Sequence, residues 1–240
     1  MRVVISQSML FPWVGLLEQM RLADVFVHYD DVQFSKGSFV NRVQIKTSAG
    51  VRWMTAPTRN LHLGQRISEV ELAPPSQWVD QHLALLAASL TGAPHSADAI
   101  AMAESVYATG HSHAGDLARA SLLALGDYFG LCEGKRFVDV GALGIDGSSS
   151  QRVLDIVEHL GGNEYVTGHG AVRYLDHALF SRAGVEVRYM EYRLQAYPQL
   201  HGEFTPYVSG LDLVANCGRE GRRFICSDTV PWKEFFHESS

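Results

Sequence analysis

The chain has few cysteines, no long apolar stretch and no recognisable leader. Its three cysteines are widely spaced and form no CxxC pair, which fits a reducing cytoplasm better than a disulfide framework. The longest apolar stretches, such as residues 83–90, fall far short of the roughly 18–20 residues that a membrane-spanning helix needs. The N-terminus lacks the pattern of a signal peptide. We therefore expect a cytoplasmic protein that does not enter a membrane.

The chain also lacks any run of Lys or Arg. Its 26 acidic side chains outnumber 20 lysines and arginines, which gives a net charge of −6 with histidine neutral. This balance argues against general binding of nucleic acid or membrane surfaces, although it is compatible with a single phosphate site. With 46% hydrophobic and 19% charged residues, the composition is that of an ordinary folded protein.

The motifs of several common enzyme classes are missing as well. The sequence contains no HExxH, no GxSxG and no Walker A motif, and its 11 histidines show no spacing typical of a zinc site. We expect no metal site. The glycine-rich stretch 141–147 is not GxGxxG, so it is weak support for a dinucleotide.

The N-terminal thirty residues carry the clearest fold pattern. A β-branched segment at 1–6, an amphipathic segment at 13–21 and an alternating segment at 24–29 predict strand, helix and strand. This order is a βαβ unit, which implies a parallel sheet. We predict one α/β domain over 1–240, with a mainly parallel, Rossmann-like sheet and a helical region at about 76–130 between its two halves. Further predicted strands and helices lie at 40–47, 51–57, 67–72, 137–142, 148–160, 164–166, 171–180, 185–192 and 211–216.

Ligands of open parallel sheets bind at the carboxyl ends of the strands, which selects the loops 6–15, 29–42, 141–152 and 166–174. The first loop contains Gln7 and runs into a Pro-Trp-Val-Gly segment at 12–15. Backbone N–H groups at the start of the following helix could bind a phosphate or carboxylate. The alternative is a plain tight connection that Pro and Gly shape.

The second loop has an unusual density of polar groups. Asp30 and Asp31 directly follow a predicted strand, and Lys36, Asn41 and Arg42 come soon after. One of the two carboxylates could act as a base, bind an amine or hold Mg²⁺, and the two cations could neutralise a phosphate. The alternative is a capped turn with surface ion pairs.

Cys217 follows a predicted helix and could attack an acyl group as a thiolate. No histidine is close to it in sequence, although His169 or His201 could approach it in space. The alternative is a buried thiol. The irregular mixtures of aromatic and polar residues at 165–176 and 197–218 are typical of pocket walls, or of surface loops packed by their own aromatics.

Taken together, these stretches resemble the WbqC-like family in order over about residues 1–220. The matching segments are 7–15, Tyr-Asp-Asp-Val-Gln-Phe at 29–34 with the Lys and Asn-Arg that follow, 53–57, Trp78 with His82, 148–152, 165–168, 174–176 and 197–218. Ser8 stands where the family pattern usually has Pro. The matched positions supply the substrate-binding candidates Gln7, Trp13, Tyr29, Gln33, Asn41, Arg42, Arg152, Thr167, Gly168, Tyr174, Gln199, Ser209, Asp212 and Asn216.

The resemblance implies a bacterial protein of surface-polysaccharide or natural-product biosynthesis, with glycyl or other aminoacyl transfer as the suggested chemistry. The start of the chain is also similar to nucleotidyltransferases and class I synthetases. Those proteins carry two histidines in the first loop, where this chain has Trp13 and Leu16.

We therefore predict an aminoacyl or acyl transferase that modifies an amine of a small molecule. The expected donor is a phosphopantetheine thioester on an acyl or peptidyl carrier protein, or an activated amino acid. A homodimer is an option that follows from the general behaviour of soluble enzymes and not from a feature of the sequence. Asp30, Asp31, Lys36 and Cys217 are the catalytic candidates. The alternatives are a ligase or nucleotidyltransferase-like enzyme that uses ATP and Mg²⁺, and a non-catalytic module that binds a sugar or nucleotide.

Overall fold

The computed structural model describes residues 1–238 and contains a central sheet with helices on both faces. The strands of this sheet are β1 (Arg2–Ser6), β2 (Val25–His28), β5 (Arg136–Asp139), β6 (Glu164–Thr167), β7 (Glu186–Glu191) and β8 (Asp228–Pro231). A separate hairpin consists of β3 (Arg42–Thr47) and β4 (Gly50–Thr55). The helices are α1 (Val14–Leu22), α2 (Val79–Leu90), α3 (Ser96–Ala108), α4 (Ala114–Tyr128), α5 (Ser149–His159), α6 (His177–Arg182), α7 (Gly210–Cys217) and α8 (Trp232–Glu238).

The spatial order of the sheet is β5-β2-β1-β6-β7-β8. All neighbours are parallel except the antiparallel pair β7 and β8. After β1, the chain adds β2 and then β5 on one side of β1. It then crosses to the other side of β1, where it adds β6, β7 and β8. The order therefore reverses between β1 and β6, as in doubly wound sheets, and a crevice opens there at the carboxyl ends. The predicted α/β class with a mainly parallel sheet is confirmed.

The two faces of the sheet are covered by different helices, because the strands alternate their side chains between two cores. Val4 and Phe26 pack with α1 and α4 in one core. Val3 and Val25 pack with α5 and α6 in the other. The long connection from β2 to β5 carries the hairpin and the helices α2, α3 and α4, which lie within the predicted helical region.

Two predicted elements are wrong in detail. Segment 67–72 forms a 3₁₀ turn at Ile67–Glu69 instead of a strand, because the N–H groups of Ile67 and Ser68 donate to the carbonyls of Val32 and Asp30. The predicted helix at 171–180 begins at His177, where Asp176 caps it by accepting from the Leu179 N–H. The sequence analysis did not predict β8 or α8. None of the helices within residues 1–238 has the length and apolar character that a membrane crossing requires.

Candidate functional site

A cleft of about 640 Å³ opens at the carboxyl ends of β1, β6 and β7, where the strand order reverses. This volume is within the range of small-molecule sites. Ser6 and Gln7 line it from the end of β1, and Thr167 and Gly168 line it from the end of β6. Further lining residues come from the helix and loop segments around the crevice, among them Met9, Trp13, Gln19, Tyr29, Val32, His169, Tyr174 and Tyr192.

Aromatic rings form one wall of the cleft. Trp13 precedes α1, and its ring centroid lies 5.2 Å from that of Tyr192 and 5.3 Å from that of Tyr207. The Trp13 indole covers the backbone of Gly15, where an added Cβ would lie 2.1 Å from the ring. Glycine at position 15 therefore lets the indole lie flat against α1 and face the cleft.

A hydrogen bond across the cleft fixes Tyr192. The Gln19 Nε2 of α1 donates to the Tyr192 hydroxyl oxygen at 2.7 Å. Gly168 passes so close to this pair that a Cβ there would lie 2.9 Å from the same oxygen. Burial raises the pKa of Tyr192 to about 12. The phenol is therefore protonated at neutral pH, and its own proton is available for an acceptor in the cleft.

His169 is held in one tautomer at the mouth of the cleft. Its Nε2 lies 2.6 Å from the carbonyl oxygen of Met190. A carbonyl oxygen can only accept, so Nε2 carries the proton and Nδ1 of the neutral ring is an acceptor. The ring also packs against Tyr192, with centroids 5.2 Å apart, and it is exposed to solvent.

A second, strongly polar cavity of about 440 Å³ lies on the other side of the segment 29–32. Tyr29 and Val32 line the cleft, whereas Asp31 lines this cavity. Arg152 of α5 binds the Asp31 carboxylate through both of its terminal nitrogens, with Nη1 3.0 Å from Oδ1. The same guanidinium lies 5.2 Å from the centre of the Tyr29 ring. We name this space the charged cavity; its other lining residues include Arg66, Ser68, Asp139, Gly141, Asp146 and Gly147.

Asp30 has a different environment from Asp31. Its side chain is 1% exposed and accepts from the Ser8 N–H at 2.9 Å, the Ser8 hydroxyl at 2.7 Å and Arg119 at 3.2 Å. Burial raises the pKa of Asp30, although the Ser8 and Arg119 donors oppose the shift. This arrangement ties the loop after β1 to the end of β2, and thereby positions Gln7 and Asp31 next to their cavities.

His28 completes this buried cluster. Because the Ser8 hydroxyl donates to Asp30, the His28 Nδ1, 3.0 Å from the Ser8 oxygen, is the donor to that oxygen. The Nε2 of His28 is buried and has no hydrogen-bond partner among the described residues. Burial, with a contribution from nearby Arg119, lowers the pKa of His28 to about 4. His28 is therefore neutral at physiological pH.

Comparisons with known proteins agree with the sequence motifs. The sequence model of the WbqC-like protein family matches residues 7–224. The chain belongs to the WbqC-like family. It is 30% identical over 227 residues to "Uncharacterized protein Rv1507c" of Mycobacterium tuberculosis (strain ATCC 25618 / H37Rv), a match that covers 93% of this chain and 97% of the relative. No solved structure matches the chain significantly.

The WbqC-like motif residues fall into two groups in space. The first group lines the cleft or the charged cavity and comprises Gln7, Trp13, Tyr29, Asp31, Arg152, Thr167, Gly168 and Tyr174. The second group lies elsewhere and makes hydrogen bonds or ring contacts within the protein. In this group, Asn41 donates to the Ala56 carbonyl, and Arg42 stacks on Trp53 at 4.1 Å.

The late motif at 197–218 belongs mostly to the second group. Gln199 accepts from the buried Lys46 ammonium at 3.0 Å. Asp212 accepts from the Tyr197 hydroxyl at 3.0 Å, and burial raises the pKa of its carboxyl group. Ser209 caps α7, and Asn216 donates to the Asp212 carbonyl. These bonds hold the long segment after β7 against the hairpin and α7.

Gln33, Lys36 and Cys217 line neither the cleft nor the charged cavity. Gln33 and Lys36 are exposed on the loop after β2. Cys217 ends α7 and packs against the larger hydrophobic core. Burial raises the pKa of the Cys217 thiol, although Arg223 opposes this. A raised pKa disfavours the thiolate that a nucleophile requires. Its catalytic role stays a prediction.

Gln19, Tyr192 and the neighbouring Arg119 were not among the sequence-based candidates, and His169 was considered only as a partner of Cys217. Arg119 bridges two carboxylates, with Asp30 at 3.2 Å and Asp139 at 2.8 Å. Burial alone would raise the pKa of Asp139. Hydrogen bonds from Arg119 and from the Gly141 N–H stabilise its carboxylate more strongly, so the pKa is lowered. Arg119 lies on α4, far from its partners in sequence. His169 was visible within a selected loop, but no spacing distinguished it.

Proposed function

We propose that this WbqC-like protein transfers an aminoacyl or other acyl group to the amine of a small molecule, with the reaction centred on the cleft and the charged cavity. The observation that carries the proposal is the position of segment 29–32 between these two spaces, one aromatic and one charged. Two substrates, or the two halves of one large substrate, could bind on either side of this segment. A sheet that reverses its order at the same place supports a ligand site there.

His169 is the proposed proton acceptor. The amine nitrogen attacks the acyl carbonyl, so that a C–N bond forms and the C–S bond of a thioester donor breaks. The amine proton passes to Nδ1 of His169, whose tautomer the Met190 carbonyl fixes, and then to the departing thiolate. General-base catalysis of this kind contributes about 10²–10⁴-fold to a rate.

Tyr192 and Asp31 have complementary proposed roles. The Tyr192 hydroxyl is protonated and is held by Gln19, so it could donate to the oxyanion that develops on the acyl carbonyl. Asp31 lines the charged cavity with Arg152 and is the candidate anchor for a cationic group of the substrate that lies away from the reacting amine. Asp30, which is buried under three donors, is a positioning residue in this scheme.

The direct test is a turnover assay with a glycyl phosphopantetheine thioester and a panel of amines and amino sugars. Released thiol and the mass of the product are measured with and without ATP and Mg²⁺. We expect thiol release that depends on the amine and does not require ATP. The His169→Gln variant should lose at least about 100-fold in kcat, whereas Cys217→Ala should retain activity.

The alternatives give different results in the same assay. ATP cleavage that requires Mg²⁺ and leaves the thioester intact would support the ligase or nucleotidyltransferase-like alternative. Inactivity of Cys217→Ala, with normal turnover of His169→Gln, would support a thioester on Cys217. Saturable ligand binding without any product would support a non-catalytic module.

A further inference from the structure

A cavity lined by arginines lies at the amino ends of the strands, whereas the cleft lies at their carboxyl ends. It has a volume of about 510 Å³ and is lined by Arg21, Arg219, Glu220, Arg222, Arg223, Ile225 and Cys226. Arg21 is in the last turn of α1, and α1 runs back from the carboxyl end of β1 to the amino end of β2. The cavity is therefore at the amino ends of the strands. We call it the arginine cavity.

The arginines of this cavity form no ion pair with the carboxylates that the structure describes. Within residues 1–237, no carboxylate lies within ion-pair distance of Arg21, Arg219, Arg222 or Arg223. Four of the 20 positively charged Lys and Arg side chains thus surround one cavity of a protein with a net charge of −6. Glu220 is the one acidic residue in the described lining.

The arginines are also partly fixed in position. Arg21 donates to the Ser227 carbonyl, and its Nε is buried without a partner in the described part of the chain. Arg219 donates to the Tyr128 carbonyl at 3.2 Å and lies 5.0 Å from the centre of the Tyr128 ring. Such contacts reduce the side-chain entropy that is lost when a guanidinium binds an anion.

Lys135 is a further cation beside the arginine cavity. Burial is the main cause that lowers the pKa of its ammonium group; Asp24 opposes this, and Arg21 and Arg222 add to it. The Lys135 ammonium donates to the carbonyls of Arg21 and Ala23 at 2.8 and 2.6 Å, so it holds the end of α1 beside the cavity. An anion bound there would relieve the repulsion between these cations.

We propose that the arginine cavity is a binding site for a small molecule that carries a diphosphate group. Guanidinium groups bind phosphate oxygens in pairs, and four of them exceed what one phosphate needs. The volume fits a small molecule. The arginine cavity lies at the amino ends of the strands and the cleft lies at their carboxyl ends. This inference therefore does not depend on the proposed transferase reaction.

The test uses inorganic pyrophosphate as the probe, titrated calorimetrically at constant ionic strength. We expect saturable binding to the unaltered protein, a dissociation constant at least about 10-fold higher for Arg222→Ala, and a further loss for Arg219→Ala/Arg222→Ala. Arg222→Lys retains the positive charge but cannot make the paired contacts of a guanidinium. Its dissociation constant should therefore lie between those of the unaltered protein and Arg222→Ala. Arg182→Ala, an exposed change on α6, is the matched control and should bind as the unaltered protein does.

Three results would overturn the proposal. The first is unchanged pyrophosphate affinity of Arg219→Ala/Arg222→Ala when its circular dichroism shows a folded protein. The second is no binding of pyrophosphate to the unaltered protein at millimolar concentration. The third is loss of binding in Arg66→Ala, because this would place the anion in the charged cavity.

Discussion

Arg152 and Asp31 form a two-point ion pair that joins the start of α5 to the loop after β2. The two side chains are 10% and 19% exposed. This pair borders the charged cavity, and it also holds the guanidinium over the Tyr29 ring. The residue pair thus connects the second half of the sheet to the segment that separates the two cavities.

A double-mutant cycle should detect this connection. We expect Asp31→Asn and Arg152→Gln each to lower the free energy of unfolding, and the pair to show a coupling of about 1–3 kcal/mol, because a charge-assisted bond with two contacts is lost in either single variant. Urea unfolding of the four proteins measures it. Strict additivity of the two changes would show that the ion pair contributes nothing to stability.

The Arg119 guanidinium compensates the negative charge of the buried Asp30 carboxylate. Arg119→Met should lower the unfolding free energy by about 3 kcal/mol, since it leaves a buried charge without its cation. The double variant Asp30→Asn/Arg119→Met should be more stable than Arg119→Met alone, because a neutral amide needs no counter-charge.

The matched control for Arg119 is Arg59→Met. Arg59 pairs with Glu71 at 2.9 Å, but the two side chains are 53% and 37% exposed, and such surface pairs contribute about 0–1 kcal/mol. If Arg119→Met costs no more than Arg59→Met in the same urea titration, the bridge to Asp30 has no structural importance.

Gly15 should tolerate alanine poorly, although alanine favours helices. The added methyl would lie 2.1 Å from the Trp13 ring, so the indole must move, and we expect a net loss of about 1–3 kcal/mol in unfolding free energy. The expected shift of Trp13 would also change the aromatic wall and weaken ligand binding in the cleft. Gly170→Ala is the control for stability, because no atom outside its own turn of the chain lies within 4 Å of the added Cβ. Equal stabilities of the two variants would contradict this account of Trp13.

The sequence predicted the parts of the site that depend on local order. The βαβ pattern of the first thirty residues places Gln7 and Asp31 at the carboxyl edge of a parallel sheet, and the structure has both there. Local patterns do not say which distant strand pairs with the free side of β1. That strand is β6, and its place next to β1 brings His169 beside Tyr192 and into the same cleft as Trp13.

Polar residues in irregular segments were the hardest to interpret. Gln199, Asp212 and Asn216 have the composition of a pocket wall, yet their partners are Lys46, Tyr197 and a backbone carbonyl. A long segment that packs against the protein must satisfy its own buried polar groups. Composition alone does not distinguish this requirement from ligand binding, because both use the same side chains.

His28 should make the stability of the protein depend on pH. Its pKa is about 4 in the folded protein, against an ordinary value of 6.5, so the unfolded chain binds more protons between these values. Unfolding free energy therefore falls as the pH falls through 6.5, and the loss levels off below about 4. Between pH 7.5 and pH 5 this single group should cost about 2 kcal/mol.

The variant His28→Asn isolates that contribution, because its amide can replace Nδ1 as the donor to Ser8 and does not titrate. Urea unfolding of both proteins at pH 7.5 and pH 5 gives the difference, in which the shared effects of Asp30 and the other carboxyl groups cancel. We expect the unaltered protein to lose about 2 kcal/mol more than the variant over this interval. Parallel losses in the two proteins would mean that His28 accepts a proton in the folded state as readily as in the unfolded chain, and that its Nε2 is not isolated from solvent.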